Sequence, residues 1–170
     1  VRRTFWVMLS LAGVLALSRW LLAPRYLYYF DSVNFALALE EFDPSQHQPQ
    51  PPGYPLFVVF SRALRWLTVT PEQTFLLAGI LLSALGLLLI RKVGEAIFSA
   101  RAGLIAALLL VFNPPFWLAG ITNQSRTGLA AGSCAVALLA WRASEPGAPK
   151  KWFYAAAAAL GVAAGFRPAL

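Results

Sequence analysis

The residues best equipped for chemistry in this 170-residue chain are gathered in one polar stretch, Tyr26–Pro55 (YLYYFDSVNFALALEEFDPSQHQPQPPGYP). It holds the only histidine, His47, and four of the seven acidic residues, Asp31, Glu40, Glu41 and Asp43. Asp31 follows an aromatic collar (Tyr26, Tyr28, Tyr29, Phe30) and can cap a helix that begins at Ser32. A carboxylate held at a helix N-terminus is ionised and immobile, two properties wanted in a general base. The plain alternative is a helix cap and nothing more. The helix would run from Ser32 to Phe42, with Phe35, Leu39 and Phe42 on its membrane side and Glu40 and Glu41 in water. At the other end, four prolines in residues 49–55 fix an extended, turning backbone. Gly53 is free to turn there. His47 is pinned just before this segment, whose plain reading is a rigid turn with an incidental histidine.

The elements around this stretch are those of a membrane protein. Hydrophobic residues make up 59% of the chain and charged residues 12%, with a mean hydropathy of +0.63. Soluble domains carry about 25% charged residues. The fold class expected is an all-α polytopic membrane protein, with spans at about 5–22, 75–90, 102–118, 128–141 and 152–166, an outer loop over 25–55 and an interfacial or oblique helix over 56–67. On that last helix Leu56, Phe60, Ala63, Leu64 and Leu67 can share a face. The first run reads as a retained span rather than a cleaved signal peptide, since it continues through Trp20-Leu21-Leu22 without a clean small-residue cleavage site. Arg19, near its outer end, is expected to snorkel. Thr70-Pro71-Glu72 with Gln73 is a helix start, Val93–Ala100 a connector, and Asn113-Pro114-Pro115 a break near the end of the third run. The fourth run is rich in Gly and Ala, which suits close helix contact. Because the chain stops directly after an apolar run, it reads as the N-terminal part of a longer polytopic protein; a complete small membrane protein is the alternative.

The charge is +7 and the pI about 10.2. In a soluble protein that balance would point to nucleic acid. Here the cations cap apolar runs and suit anionic headgroups, so no nucleic-acid partner is expected. Arg2/Arg3, Arg91/Lys92/Arg101 and Arg142/Lys150/Lys151 fall on one side if the spans alternate, which makes that side the cytoplasm. The long loop, the 122–126 link and Arg167 then face outward. So do Arg25, Arg62, Arg65 and Arg126. Arginines on the trans side suit either interface anchoring or the phosphate of an anionic lipid. The single Cys134 lies in an apolar run and forms no intrachain disulfide. No histidine–cysteine cluster has metal-ligand spacing, so the metal site assigned is none; a divalent ion has no ligand set to support it.

Tyr29–Asp31, the helix after it, and above all His47 followed by Pro51-Pro52-Gly53-Tyr54-Pro55-Leu56 resemble the first outer loop of the GT-C-fold membrane glycosyltransferases. The nearest likeness is to bacterial proteins similar to protein O-mannosyltransferases and polyprenyl-phosphate sugar transferases. The succession of membrane passages resembles that superfamily over essentially all 170 residues. The resemblance implies a GT-C-like helix bundle with a juxtamembrane helix in its first outer loop. It implies Asp31 as the acidic catalytic position, which would deprotonate or orient the acceptor hydroxyl, and His47 with Pro51, Pro52, Gly53 and Pro55 as the loop motif. His47, Tyr54, Arg126 and Arg167 become the candidates for substrate binding. Two departures stand out. Asp31 is followed by Ser32 where many relatives carry an Asp-Glu pair, and the Ile121–Arg126 segment is neutral or basic where several relatives place an acid.

The reaction implied is displacement at the anomeric carbon of a sugar carried on a polyprenyl phosphate, on the extracytoplasmic face of the inner membrane. The partners implied are that lipid-linked sugar and membrane lipid; the sugar and the acceptor are not named by the residues. Two other readings stand beside it. One is a transporter or flippase component for lipid-linked glycans, which would bury charged or broken segments mid-span. The other is a non-catalytic membrane scaffold.

Overall fold

The computed structural model describes residues 2–122 and 124–168. Asn123 of the expected outward link, Val1, and the final Ala169 and Leu170 lie outside the described residues. Within them the chain is all-α. The helices are α1 (Arg2–Leu22), α2 (Phe30–Glu40), α3 (Pro55–Arg65), α4 (Pro71–Ile97), α5 (Ala100–Val111), α6 (Pro114–Thr122), α7 (Gln124–Ser144) and α8 (Lys151–Phe166). A 3-10 turn at Pro44–Gln46 interrupts the stretch between α2 and α3.

α4 is the axis. Its 27 residues extend about 40 Å at 1.5 Å per residue. It starts on a complete capping box, in which the Thr70 hydroxyl accepts from the Gln73 backbone and the Gln73 side chain accepts from the Thr70 backbone. It does not stop at the connector expected over Val93–Ala100 but runs on to Ile97. Gly94 lets the α5 backbone press against it at Gly103; two helices can meet this closely only where a Cβ is missing. α7 lies parallel to α4, with Leu82 near Gly128 and Gly86 near Ala131. α8 returns antiparallel to α7, Gly132 resting on Ala163 and Gly128 on Phe166. The Gly/Ala composition of the fourth run is thus used as contact surface.

The third apolar run is two helices. α5 and α6 meet at a 56° bend. Asn113 Oδ1 accepts from the Phe116 backbone at 2.9 Å, and Pro114 and Pro115 occupy first-turn positions where no N–H is required. By length and composition, two helices can cross a membrane, Thr4–Leu22 and Pro71–Ile97, and a third if the bent pair counts as one span. α8 is apolar but only 16 residues long, and α7 opens on Gln124, Ser125, Arg126 and Thr127. The chain therefore has a helical, membrane-compatible fold.

Two expectations are corrected. Arg19 does not snorkel: it is fully buried, donating to the carbonyls of Leu15 (3.4 Å) and Phe116 (3.3 Å) and lying 5.4 Å from the Phe116 ring centre. The reason is Gly120, whose missing side chain leaves the space that the guanidinium fills. α3 also turns a different face inward. Phe57, Val58, Ser61 and Leu64 are buried, while Leu67 is 76% exposed. The phase is set by aromatic packing, since Phe57 stacks on Phe75 (6.2 Å, 18°) and meets Phe35 edge-on (4.9 Å).

That aromatic cluster belongs to one of two cores. Phe35, Leu39, Tyr54, Phe57, Val58 and Phe75 bind the loop segment to the start of α4, and Leu11, Leu15, Leu87, Ala107 and Phe116 tie α1 to α4, α5 and α6. The loop is folded onto the bundle, not suspended above it.

Candidate functional site

The first helix of the loop begins at Phe30, two residues earlier than expected. Tyr29, with no side-chain cap, is the N-cap, and its carbonyl accepts from Ser32 (2.9 Å) and Val33 (3.4 Å). Asp31 is therefore not the cap but a half-buried residue in the first turn. The physical cause is the phase of α2. Ser32, Phe35, Ala38 and Leu39 point inward, and the Ser32 hydroxyl donates to the Thr122 carbonyl at 3.0 Å. Asp31 falls on the flank of that buried stripe. It still sits near the helix dipole's positive end, and its carboxylate makes no hydrogen bond among the described residues.

The bond from Ser32 joins α2 to the junction of α6 and α7. Two residues beyond that junction, the Ser125 hydroxyl accepts from Arg167 Nη1 at 2.9 Å. Arg167 follows the end of α8, and its guanidinium carbon lies 5.7 Å from the centre of the Tyr54 ring. Tyr54 is buried, with φ 46° and ψ 52°, as the N-cap of α3. Its ring also meets Phe35 edge-on at 5.2 Å. A guanidinium over a tyrosine face is held by the ring quadrupole without being neutralised. Three separate parts of the chain, the end of the proline segment, the α6–α7 junction and the end of α8, thus converge on Arg167.

Of the residues singled out from the sequence, Tyr54 and Arg167 are brought into contact, and Asp31 is tied to the same end of the bundle through its neighbour Ser32. Arg126 is the residue after Ser125 and is exposed on the first turn of α7. His47 is not brought in. It closes the 3-10 turn at φ 61°, is exposed, and its imidazole makes no hydrogen bond among the described residues. The turn is sealed by paired backbone bonds between Asp43 and Gln48 (2.6 and 2.9 Å). Asp43 accepts from the Ser45 hydroxyl and backbone and from the Gln46 amide, and these bonds, those of Ser45 foremost, hold its carboxyl below the usual range. Gly53, at φ 99°, backs onto Phe42 and Pro44, so Pro51, Pro52, Gly53 and Pro55 act as the return that delivers Tyr54.

The five outward arginines expected from the sequence divide by what they touch. Arg62 donates to the carbonyls of Ala38 and Glu40, satisfying the open end of α2, and Arg65 donates to the Thr68 carbonyl. Arg167 is held as described. Arg25 and Arg126 make no ion pair; among the described residues ion pairs are confined to Glu95 with Arg91 and Lys92. No three of the described His, Cys, Asp and Glu residues stand close enough to hold a metal.

An apolar cavity of about 140 Å³ opens between α4, α7 and α8, walled by Leu82, Leu85, Gly132, Ala163 and Phe166, the residue before Arg167, among others. Sequence reasoning missed this cavity and missed Glu72, which lines clefts at the same end. Both depend on which helices are neighbours, and no local pattern carries that.

No curated protein and no solved structure matches the chain. A family model described as dolichyl-phosphate-mannose-protein mannosyltransferase matches residues 49–169. The match takes in the proline return, Tyr54, Arg126 and Arg167; Asp31 and His47 precede it. With most of its length under that match, the chain belongs to the dolichyl-phosphate-mannose-protein mannosyltransferase family.

Proposed function

We propose that this chain is part of a GT-C-type membrane glycosyltransferase that moves a sugar from a polyprenyl-phosphate-linked donor to an acceptor hydroxyl. In this reading the protein is a multi-pass protein of the inner membrane, with its N-terminus cytoplasmic and its first loop outside. The observation that carries the reading is Arg167. Its guanidinium is held by Ser125 and Tyr54 and, among the described residues, is paired with no carboxylate, and the residue before it, Phe166, walls an apolar cavity. A cation beside an apolar groove suits a ligand with a phosphate head and a hydrocarbon tail.

The acceptor oxygen attacks the anomeric carbon while the bond from that carbon to the phosphate oxygen breaks. The electron pair leaves with the phosphate, whose charge Arg167, with Arg126 beside it, stabilises. The acceptor proton passes to the Asp31 carboxylate. An alcohol needs proton removal only as the bond to the phosphate breaks. His47, exposed on its turn, would contact acceptor or donor headgroup from outside.

The test is transfer of labelled hexose from a polyprenyl-phosphate-linked donor in vesicles carrying the full-length protein. Asp31→Asn should abolish transfer while leaving membrane insertion intact. An Asp31→Asn protein whose transfer falls by less than about tenfold would remove Asp31 as the base. A transport reading draws on one observation, the buried Arg19 beside the bent α5–α6 pair. It predicts movement of the lipid-linked glycan across the vesicle with no new glycosidic bond.

A further inference from the structure

Glu72 enters the sequence reading only as part of a helix start. In the fold it stands between two cavities. One is an open cleft of about 460 Å³, lined by Trp20, Pro24, Arg25, Thr70, Glu72 and Gln73 among others, within the range of about 300–1,000 Å³ usual for small-molecule sites. The other is a crevice of about 10 Å³ that shares Ala23, Pro24, Glu72 and Leu76 with the first and is lined on its inner side by Ser32, Thr122 and Gln124. Glu72 therefore joins the cleft to the residue adjoining Asp31 and to the α6–α7 junction that leads to Ser125.

The polar groups of the cleft differ in what they have left to give. Gln73 Oε1 already accepts from Val69 and Thr70, and the Thr70 hydroxyl from Gln73. The carboxylate of Glu72 and the guanidinium of Arg25 make neither an ion pair nor a hydrogen bond among the described residues. The capping box and Pro71 fix the backbone from which Glu72 projects. A rigid carboxylate and an arginine that share a cleft but stop short of each other leave room for a ligand between them.

We propose that Glu72, with Arg25 and Trp20, forms a subsite that holds a pyranose by its hydroxyls. The proposal rests on the transferase reading only for the role of that sugar in a reaction. A carboxylate accepts from two adjacent hydroxyls, and a guanidinium donates to hydroxyl and ring oxygens in a fixed fork. The Trp20 indole, 64% exposed, offers an aromatic face to the apolar side of the ring.

The experiment uses the full-length protein in detergent and a panel of free hexoses and pentoses, with the Trp20 component of the tryptophan fluorescence isolated as the difference from Trp20→Phe. At least one sugar should change that component saturably. Glu72→Gln should raise its half-saturation at least tenfold, while Glu95→Gln at the other end of the bundle leaves it unchanged. Thermal unfolding of each variant shows that the fold is intact. No saturable Trp20 response up to the solubility limit, or equal half-saturation in a folded Glu72→Gln protein, would overturn the proposal. In the transfer assay Glu72→Gln should raise KM with kcat within about threefold, the sign of lost ground-state binding. Transfer with unchanged KM in that variant removes the subsite and leaves the transferase reading standing. A Glu72-dependent sugar response without any transfer keeps the subsite and removes that reading instead.

Discussion

Among the described residues, the ion pairs of this helix bundle stand at one end only. Where α4 ends and α8 begins, Glu95 is bonded to both Arg91 (3.4 Å) and Lys92 (3.2 Å), and Arg142 and Lys151 both lie within 6 Å of the Trp152 ring centre. At the other end Asp31, Glu72, Arg25 and Arg126 form no ion pair among the described residues, and Arg167 has only a hydroxyl and an aromatic face. A fold that needed its charges only for anchoring could have paired them at both ends. Surface pairs contribute little to stability, about 0–1 kcal/mol, so leaving charges unpaired costs the fold almost nothing. It keeps them available to a ligand.

The contrast is sharpest in activity. Asp31→Asn should reduce transfer by roughly 10²–10⁴, the usual contribution of general base catalysis; a decrease under tenfold would erase the distinction between the two ends. Arg167→Gln should lower transfer by about 10²–10³, as loss of a single charge-stabilising donor does. Arg142→Gln, at the opposite end, should leave it within twofold, as roughly expected of a surface cation away from any reacting group. Equal effects in these two variants would show Arg167 to be an anchor like the rest.

Packing should respond differently from charge. Phe57→Ala opens a cavity where the loop meets α4 and should cost about 3–5 kcal/mol of stability, read as a lowered unfolding midpoint in detergent. Glu95→Gln should cost no more than about 1 kcal/mol by the same measurement. The smallest effect belongs to the Asp43 turn. Its carboxyl is held below the usual range, so the stabilisation is present above the unfolded carboxylate's pKa and is lost as pH falls through the lower folded value. Amide exchange at Ser45 and Gln48 should therefore lose protection only in that acidic window, and Asp43→Asn should remove the dependence.

What could be read in the sequence was local. The Thr70–Gln73 start of α4 and the break at Asn113-Pro114-Pro115 rest on neighbouring residues, and both are present in the fold. What could not be read was long-range. Arg19 looks like a snorkelling cation until Gly120, about a hundred residues away, leaves it space. The inward face of α3 was decided by Phe35 and Phe75, and the phase of α2 by the same cluster together with Thr122. Asp31 lost its cap position for that reason. Tyr54 and Arg167 were each legible as candidates, but their contact was not.

The seat of Arg167 also sets an order of manufacture. Tyr54 and Ser125 leave the ribosome well before α8, and at roughly 5–20 residues per second Tyr54 waits on the order of ten seconds for its guanidinium. Until α8 lies against α7, Ser125 lacks the donor that Arg167 brings and the apolar cavity lacks a wall. A nascent chain halted before residue 150 would thus carry every part of the loop and still lack the contacts of Arg167 with Tyr54 and Ser125.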